Sequence, residues 1–207
     1  MSAKYYGKMR YDPITEKPYC CVPAVLQMIQ ARRGLPSISQ DDIGWDLGLI
    51  VPPGMKSEFT KVRTGSRPPA GYGTQTLKPE FSIESYFAHN RLPLSITKVY
   101  PSLPEEMTAA IEAALARDDD IILCYDSLLL FGYGDIEHVS LIEEFDNAGG
   151  QITVVDPAIG APKRRSATIA EAFEAIPSHE ASDIGGLWVV SERPRGPQNS
   201  AEPDSRA

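Results

Sequence analysis

Residues 138–156 read HVSLIEEFDNAGGQITVVD, two apolar, β-branched runs joined by the polar, glycine-rich DNAGG. That pattern predicts a β-hairpin with strands over HVSLIEEF and QITVV. A three-residue turn followed by a glycine bulge sets Phe145 opposite Gly149. Counting back along both strands, it sets His138 opposite Asp156. Residues directly opposite have Cβ atoms about 4.5–5.5 Å apart, close enough for a carboxylate to orient an imidazole. A bare two-residue turn slips the register by one and brings Pro157 to that place instead.

Outward from the hairpin, IILCY (121–125) reads as a buried strand and LWVVS (187–191) as a last strand. Before them come helices. Val22, Val25, Leu26 and Ile29 follow the i, i+3, i+4, i+7 rule from Cys21 onward, with Pro23 in the first turn and Gly34 as the stop. Ser39 with Asp42 caps a second helix through Leu49, and Ser82 to His89 forms a third. Ser102 with Glu105 opens a fourth, carrying Met107, Ile111, Ala114 and Leu115 inward as far as Arg117. Thr168 with Glu171 opens a fifth. From Val51 to Gln75 the chain mixes Pro, Gly and charge without a period, as a long surface loop does. Helices first and strands mostly later give an α+β class. One domain is expected over 1–191, with a polar, proline-rich, disordered tail over 192–207.

Composition narrows the function classes. With 42% hydrophobic and 23% charged residues, the 207-residue chain suits one ordinary globular domain. A net charge of −8 argues against a nucleic-acid or anionic-membrane partner, which both want clustered Lys and Arg. MSAKYYGKMRYDP has no apolar core of signal-peptide length, and no run approaches a membrane span. The expected location is the cytoplasm, where three unpaired cysteines stay reduced.

Two of those cysteines stand side by side in YCCVPAVLQM (19–28). A thiol is nucleophilic as the thiolate, and the unpaired N–H groups of a helix N-terminus favour negative charge there. Cys21 occupies that position; Cys20 reads as a packed small residue and Cys124, within IILCY, as core. A base must stand nearby. His89 and His179 read as solvated, whereas His138 opens the hairpin after FGYGDIE. Cys21 as nucleophile, His138 as base and Asp156 as orienting acid form the candidate catalytic triad. Metal ligation is not expected, because adjacent Cys20 and Cys21 lack the Cys-x₂-Cys separation and no His-x₃₋₅-His exists. No cofactor motif is present either: the GYG at Tyr72 and the GYG at Tyr133 lack a following Lys.

CVPAVLQMI resembles the nucleophile helix of the bacteriocin-processing, double-glycine-leader cysteine peptidases and their looser relatives. HVSLIEEFDNAGGQITVVDPAIG resembles their second block, a histidine-opened strand whose hairpin returns to Asp-Pro. The resemblance implies a papain-like α+β fold with the thiol on a central helix packed against an antiparallel sheet, and the roles already given to Cys21, His138 and Asp156. Between Ser39 and Asp120 it finds no counterpart. The chain also departs from the family. Val22 replaces a Gly, Cys20 replaces a frequent Asp, and ITEKPY lacks the Gln that helps bind the oxyanion. One lost oxyanion donor costs about 10²–10³ in rate. The Cys21 N–H remains, and Tyr19 or Thr15 is the candidate second donor. Tyr72, Gln75 and Tyr133 are the candidate groove residues.

The expected activity is a cysteine peptidase-like hydrolase that cleaves a peptide or amide bond through a thioester. The same triad also serves an acyltransferase that passes the acyl group to an amine, and a non-catalytic binding module keeps the same fold. The partner is a peptide or acyl-donor substrate; oligomeric state stays open.

Overall fold

The structure, a computed structural model, describes residues 6–132, 137–176 and 185–193. In chain order its strands are β1 (Tyr6–Lys8), β2 (Ile50–Val51), β3 (Arg63–Thr64), β4 (Leu94–Val99), β5 (Asp120–Tyr125), β6 (His138–Asp146), β7 (Gln151–Val155), β8 (Arg164–Thr168) and β9 (Gly186–Glu192). Its α-helices are α1 (Cys21–Arg32), α2 (Gln40–Asp46), α3 (Ile83–His89), α4 (Pro104–Ala116), α5 (Ser127–Phe131) and α6 (Ile169–Ala175). The main sheet runs β4-β9-β5-β6-β7-β8, with β1 joining the far half of β6, and every pairing in it is antiparallel. The class is therefore mixed α+β, with helices packed against a mainly antiparallel sheet. No helix among the described residues is long and apolar enough to cross a membrane.

β5 is buried along its whole length, and β6 through its first six residues, without alternation. A sheet centre of that kind is covered on both faces. α1 packs against β6 and α4 against β5. α1 also meets α2, and it buries Val22, Ala24, Val25, Leu26, Met28 and Ile29, more than a single stripe. Its far end is tied to the sheet by charge. Asp120, fully buried at the start of β5, accepts from Arg32 Nε at 2.7 Å, from Arg33 Nε and from the Tyr11 hydroxyl at 2.8 Å.

The caps expected at Ser39 and Thr168 form, the latter as a full capping box with Glu171, and Ser82 caps α3 through the Ser85 N–H. Other expectations need correction. α2 stops at Asp46 and not at Leu49, because the chain reverses at Gly48 with φ 69°, where a side chain would collide with the Phe81 ring. α4 starts at Pro104 with no side-chain cap; Glu106 instead accepts the Ser102 N–H at 2.8 Å. Proline at the first helical position needs no N–H partner, so the Ser102 cap is superfluous. Within 51–75 the chain is more ordered than a plain loop: β2 and β3 pair in parallel, a 3₁₀ turn spans Pro53–Glu58, and Gly73 bridges to Ile50. Glu192, placed in the tail by the sequence, ends β9 opposite Leu94; from 194 onward the tail lies outside the described residues.

The hairpin forms, but with a longer turn than expected. Asp146 pairs with Gln151, leaving four turn residues, 147–150. Asp146 Oδ1 accepts the Ala148 N–H at 2.9 Å, and Gly150 takes φ 61°. These local bonds favour the four-residue turn over the three-residue one.

Candidate active site

The segment leading into α1 is shaped by Pro18. The Cys20 N–H donates to Lys17 O at 2.9 Å, with Pro18 and Tyr19 between them and Tyr19 at φ 64°. That is the pattern of a type II turn, whose third position ordinarily wants glycine. Tyr19 holds a left-handed conformation beside the nucleophile candidate, and its ring lies 5.8 Å from that of Tyr72. The first i→i−4 bond of the helix runs from Ala24 to Cys20 at 2.9 Å, so the N–H groups of Cys21 and Val22 precede the ladder. The first turn carries no acidic residue to offset their positive field.

Cys21 is half-buried at this helix end, whereas Cys20 and Cys124 are wholly buried. Burial pushes the Cys20 thiol far up, helped by Cys21, Glu16 and Asp41, and burial does the same to Cys124. Two of the three thiols are thus held protonated.

His138 is buried at the start of β6. Its ladder partner is Tyr125, and the two rings meet edge-on with centroids 5.7 Å apart. His138 Nε2 bonds to Asp156 Oδ1 at 2.8 Å, which leaves Nδ1 for the thiol side, where the ring and the Cys21 sulfur come within 4.8 Å of each other. Burial disfavours the imidazolium, but the hydrogen bond to Asp156 and the neighbouring Cys21 and Asp156 groups outweigh it, pushing His138 up to about 10. Burial likewise works to raise Asp156. The hydrogen bond and charge of His138, the Ala158 N–H at 2.9 Å and the Arg165 guanidinium at 3.8 Å together hold its carboxyl below the ordinary value.

The contact arises by another register than the one expected. Glu144 pairs with Thr153, but Ile142 pairs with Val154 and Leu141 with Val155, so Glu143 is an extra residue, a β-bulge. Continuing by one residue puts Asp156 opposite Ser140, with His138 two residues further along on the same face. The expected direct pairing of His138 and Asp156 is therefore wrong by two residues. Because side chains alternate with period two, an even shift preserves the face, and diagonal neighbours remain within reach of long side chains. Without the bulge Asp156 would face Leu141, on the side away from His138.

A residue the sequence reading passed over completes the cluster. A Glu16 carboxylate oxygen, the Cys21 sulfur and a His138 ring nitrogen all lie within 4.8 Å of one another. Glu16 is held from both sides. Its N–H donates to Pro157 O at 2.9 Å, while the Gln40 amide accepts from the Lys17 N–H at 2.8 Å and donates to Thr15 O at 3.0 Å. The only local signal was an acid five positions before the cysteine.

The other candidates fare differently. Thr15 is exposed, and among the described residues neither its hydroxyl nor that of Tyr19 bonds to Cys21 or His138. Gln75 is buried and donates to Gly71 O and Gly73 O, both at 3.3 Å, so its amide staples its own loop. The Tyr72 hydroxyl donates to Gly65 O at 3.3 Å while its ring stays against Tyr19. Tyr133 and His179 lie outside the described residues, and His89 ends α3 exposed.

No protein-family model matches this chain, and no curated protein matches it.

Proposed function

We propose that the protein is a cysteine-dependent hydrolase of papain-like type, acting on a peptide or amide bond. The observation that carries this reading is the convergence of the Cys21 sulfur, at the amino end of a buried helix, with the His138 ring within 4.8 Å, and the bond of that ring to Asp156 at 2.8 Å.

In this reading His138 already holds the proton as an imidazolium beside the Cys21 thiolate, in keeping with its raised pKa, and the thiolate attacks the substrate carbonyl carbon. Negative charge collects on the carbonyl oxygen, beside the Cys21 N–H at the head of α1. As the tetrahedral adduct collapses, His138 returns the proton to the leaving amine, and the acyl group stays on sulfur as a thioester. Water then attacks that thioester with His138 as base, and the thiol is regenerated. Asp156 fixes the ring orientation and stabilises the imidazolium throughout.

The test is competitive alkylation with limiting iodoacetamide at pH 6 in the presence of a chelator, read by peptide mass. Cys21 should be modified at least about tenfold faster than glutathione added as a free thiol, and His138→Ala should bring it down to that rate. A Cys21 rate no greater than that of glutathione would defeat the proposal and favour a non-catalytic module.

A further inference from the structure

The sequence offers no local metal motif, yet the fold gathers three ligand types from three segments: Glu16 from the lead-in loop, Cys21 from the head of α1 and His138 from the start of β6. We propose that Glu16, Cys21 and His138 form a three-ligand site for one Zn²⁺ ion, which masks the thiol and holds the protein in a reversible inactive form. The masking of activity rests on the hydrolase reading; the binding of the metal does not.

The donor set is thiolate, imidazole and carboxylate. Zinc binds such donors at about 2.3, 2.0–2.1 and 2.0–2.2 Å, which in a tetrahedron places ligand atoms about 3.4–3.6 Å apart. Here the three atoms already stand within 4.8 Å of one another, so small side-chain adjustments close the site. Two anionic donors and a neutral ring match the charge of a divalent cation. Hard cations are disfavoured, because Mg²⁺ and Ca²⁺ want oxygen ligands throughout.

The surroundings are also those of a metal site. A metal-bound histidine ordinarily gives its second N–H to a carboxylate, which fixes the tautomer. His138 does this through Nε2 to Asp156 Oδ1 at 2.8 Å, so Nδ1 is the free donor. The Glu16 backbone is clamped by Pro157 O and by the Gln40 amide, so its position does not depend on the ion. Cys21 is half-buried, so solvent reaches the site and a water would supply the fourth ligand of a tetrahedral ion. Binding releases the thiol proton, and the imidazolium proton where the ring carries one, so zinc binds more tightly as pH rises.

The experiment uses the full chain. Chelator competition measures zinc stoichiometry and affinity, and iodoacetamide modification of Cys21 is followed with Zn²⁺, with Mg²⁺ and with excess EDTA. One Zn²⁺ per chain is expected, with Cys21 alkylation slowed at least tenfold by zinc, restored by EDTA and indifferent to Mg²⁺. Cys21→Ser should lose the ion and Glu16→Gln should weaken it by more than about tenfold, a loss seen even for outer-shell partners. Unprotected Cys21 in the unsubstituted chain, or undiminished affinity in a folded Glu16→Gln variant, overturns the site. If Cys21 reacts fast without metal and zinc gives no protection, only this inference falls. If Cys21 is sluggish without metal yet one zinc binds through these residues, the hydrolase reading falls and the metal site stands.

Discussion

His138 Nε2 and Asp156 Oδ1 lie 2.8 Å apart although the two residues are not ladder partners, and what brings them to one face of the sheet is the extra residue Glu143. A bulge bearing a buried carboxylate has to be held in place. Glu143 accepts from Arg164 Nε at 2.5 Å and Nη2 at 2.9 Å, and from the Tyr11 N–H at 3.3 Å, while its carbonyl accepts the Met9 N–H at 2.6 Å.

Glu143→Ala should therefore loosen the bulge. Arg164 is half-exposed and can turn to water, so the stability cost is modest, about 1–2 kcal/mol. For a chain of this size that is a fall in Tm of roughly 2–8 °C. Activity toward any hydrolysed substrate should fall further than the lost stability accounts for, because the Asp156 face relation depends on the bulge. Thermal unfolding and Cys21 alkylation, measured on the same samples, separate the two effects.

How far the sequence reveals this arrangement depends on burial. The core strands β5 and β9 and the hairpin are legible because apolar, β-branched runs leave few alternatives. β1, β4 and β8 are not: each lies at a sheet margin, and segments such as RRSAT and LSITKV are half-exposed and polar, with little period to read. Cys21, His138 and Asp156 stand out as candidates in the sequence because a thiol at a helix end with a base to serve it is a pattern few residues fit. The bulge does not, since nothing in IEEF marks Glu143 as the unpaired residue. Nor does Glu16, which looks like any solvated acid until Gln40 and Pro157 turn it inward.

Substitutions at Asp156 should be graded. Asp156→Asn keeps an oxygen that accepts from His138 Nε2 but loses the charge that favours the imidazolium, and Asp156→Ala loses both. Cleavage by the alanine variant should fall by about 10²-fold or more, with the asparagine variant between it and the native chain. Equal loss in the two would mean that charge alone matters, and no loss in either would remove Asp156 from the mechanism.

The titration of His138 gives stability a pH slope of known sign. In the unfolded chain the ring titrates near 6.5, and in the folded chain it is raised to about 10. Between those values the native state holds the extra proton. The contribution of this residue is full below about 6.5 and is lost as pH rises toward 10. Denaturant unfolding of metal-free protein at intervals from pH 6 to 10 should show that decline, and His138→Gln should flatten it. Asp156 acts at the other end: its carboxyl is lowered, so its contribution is present above about 3.9 and lost as pH falls through the native value.

Tyr19 sits at φ 64° on the turn that delivers Cys21 to the head of α1. A non-glycine residue in that conformation costs roughly 1–2 kcal/mol, and the ring contact with Tyr72 offsets part of it. Tyr19→Ala and Tyr19→Gly both remove the ring, so their difference isolates the backbone. The glycine variant should be the more stable of the two by about 1 kcal/mol, although glycine ordinarily destabilises ordered structure relative to alanine. Alkylation of Cys21 in the same pair then shows whether the strain holds the thiol in position. If the turn is held rigidly by Pro18 and by the Lys17 contacts with Gln40 and Asp41, both variants keep the native rate. If Tyr19 itself aims the thiol, the glycine variant becomes the more stable protein and the slower nucleophile.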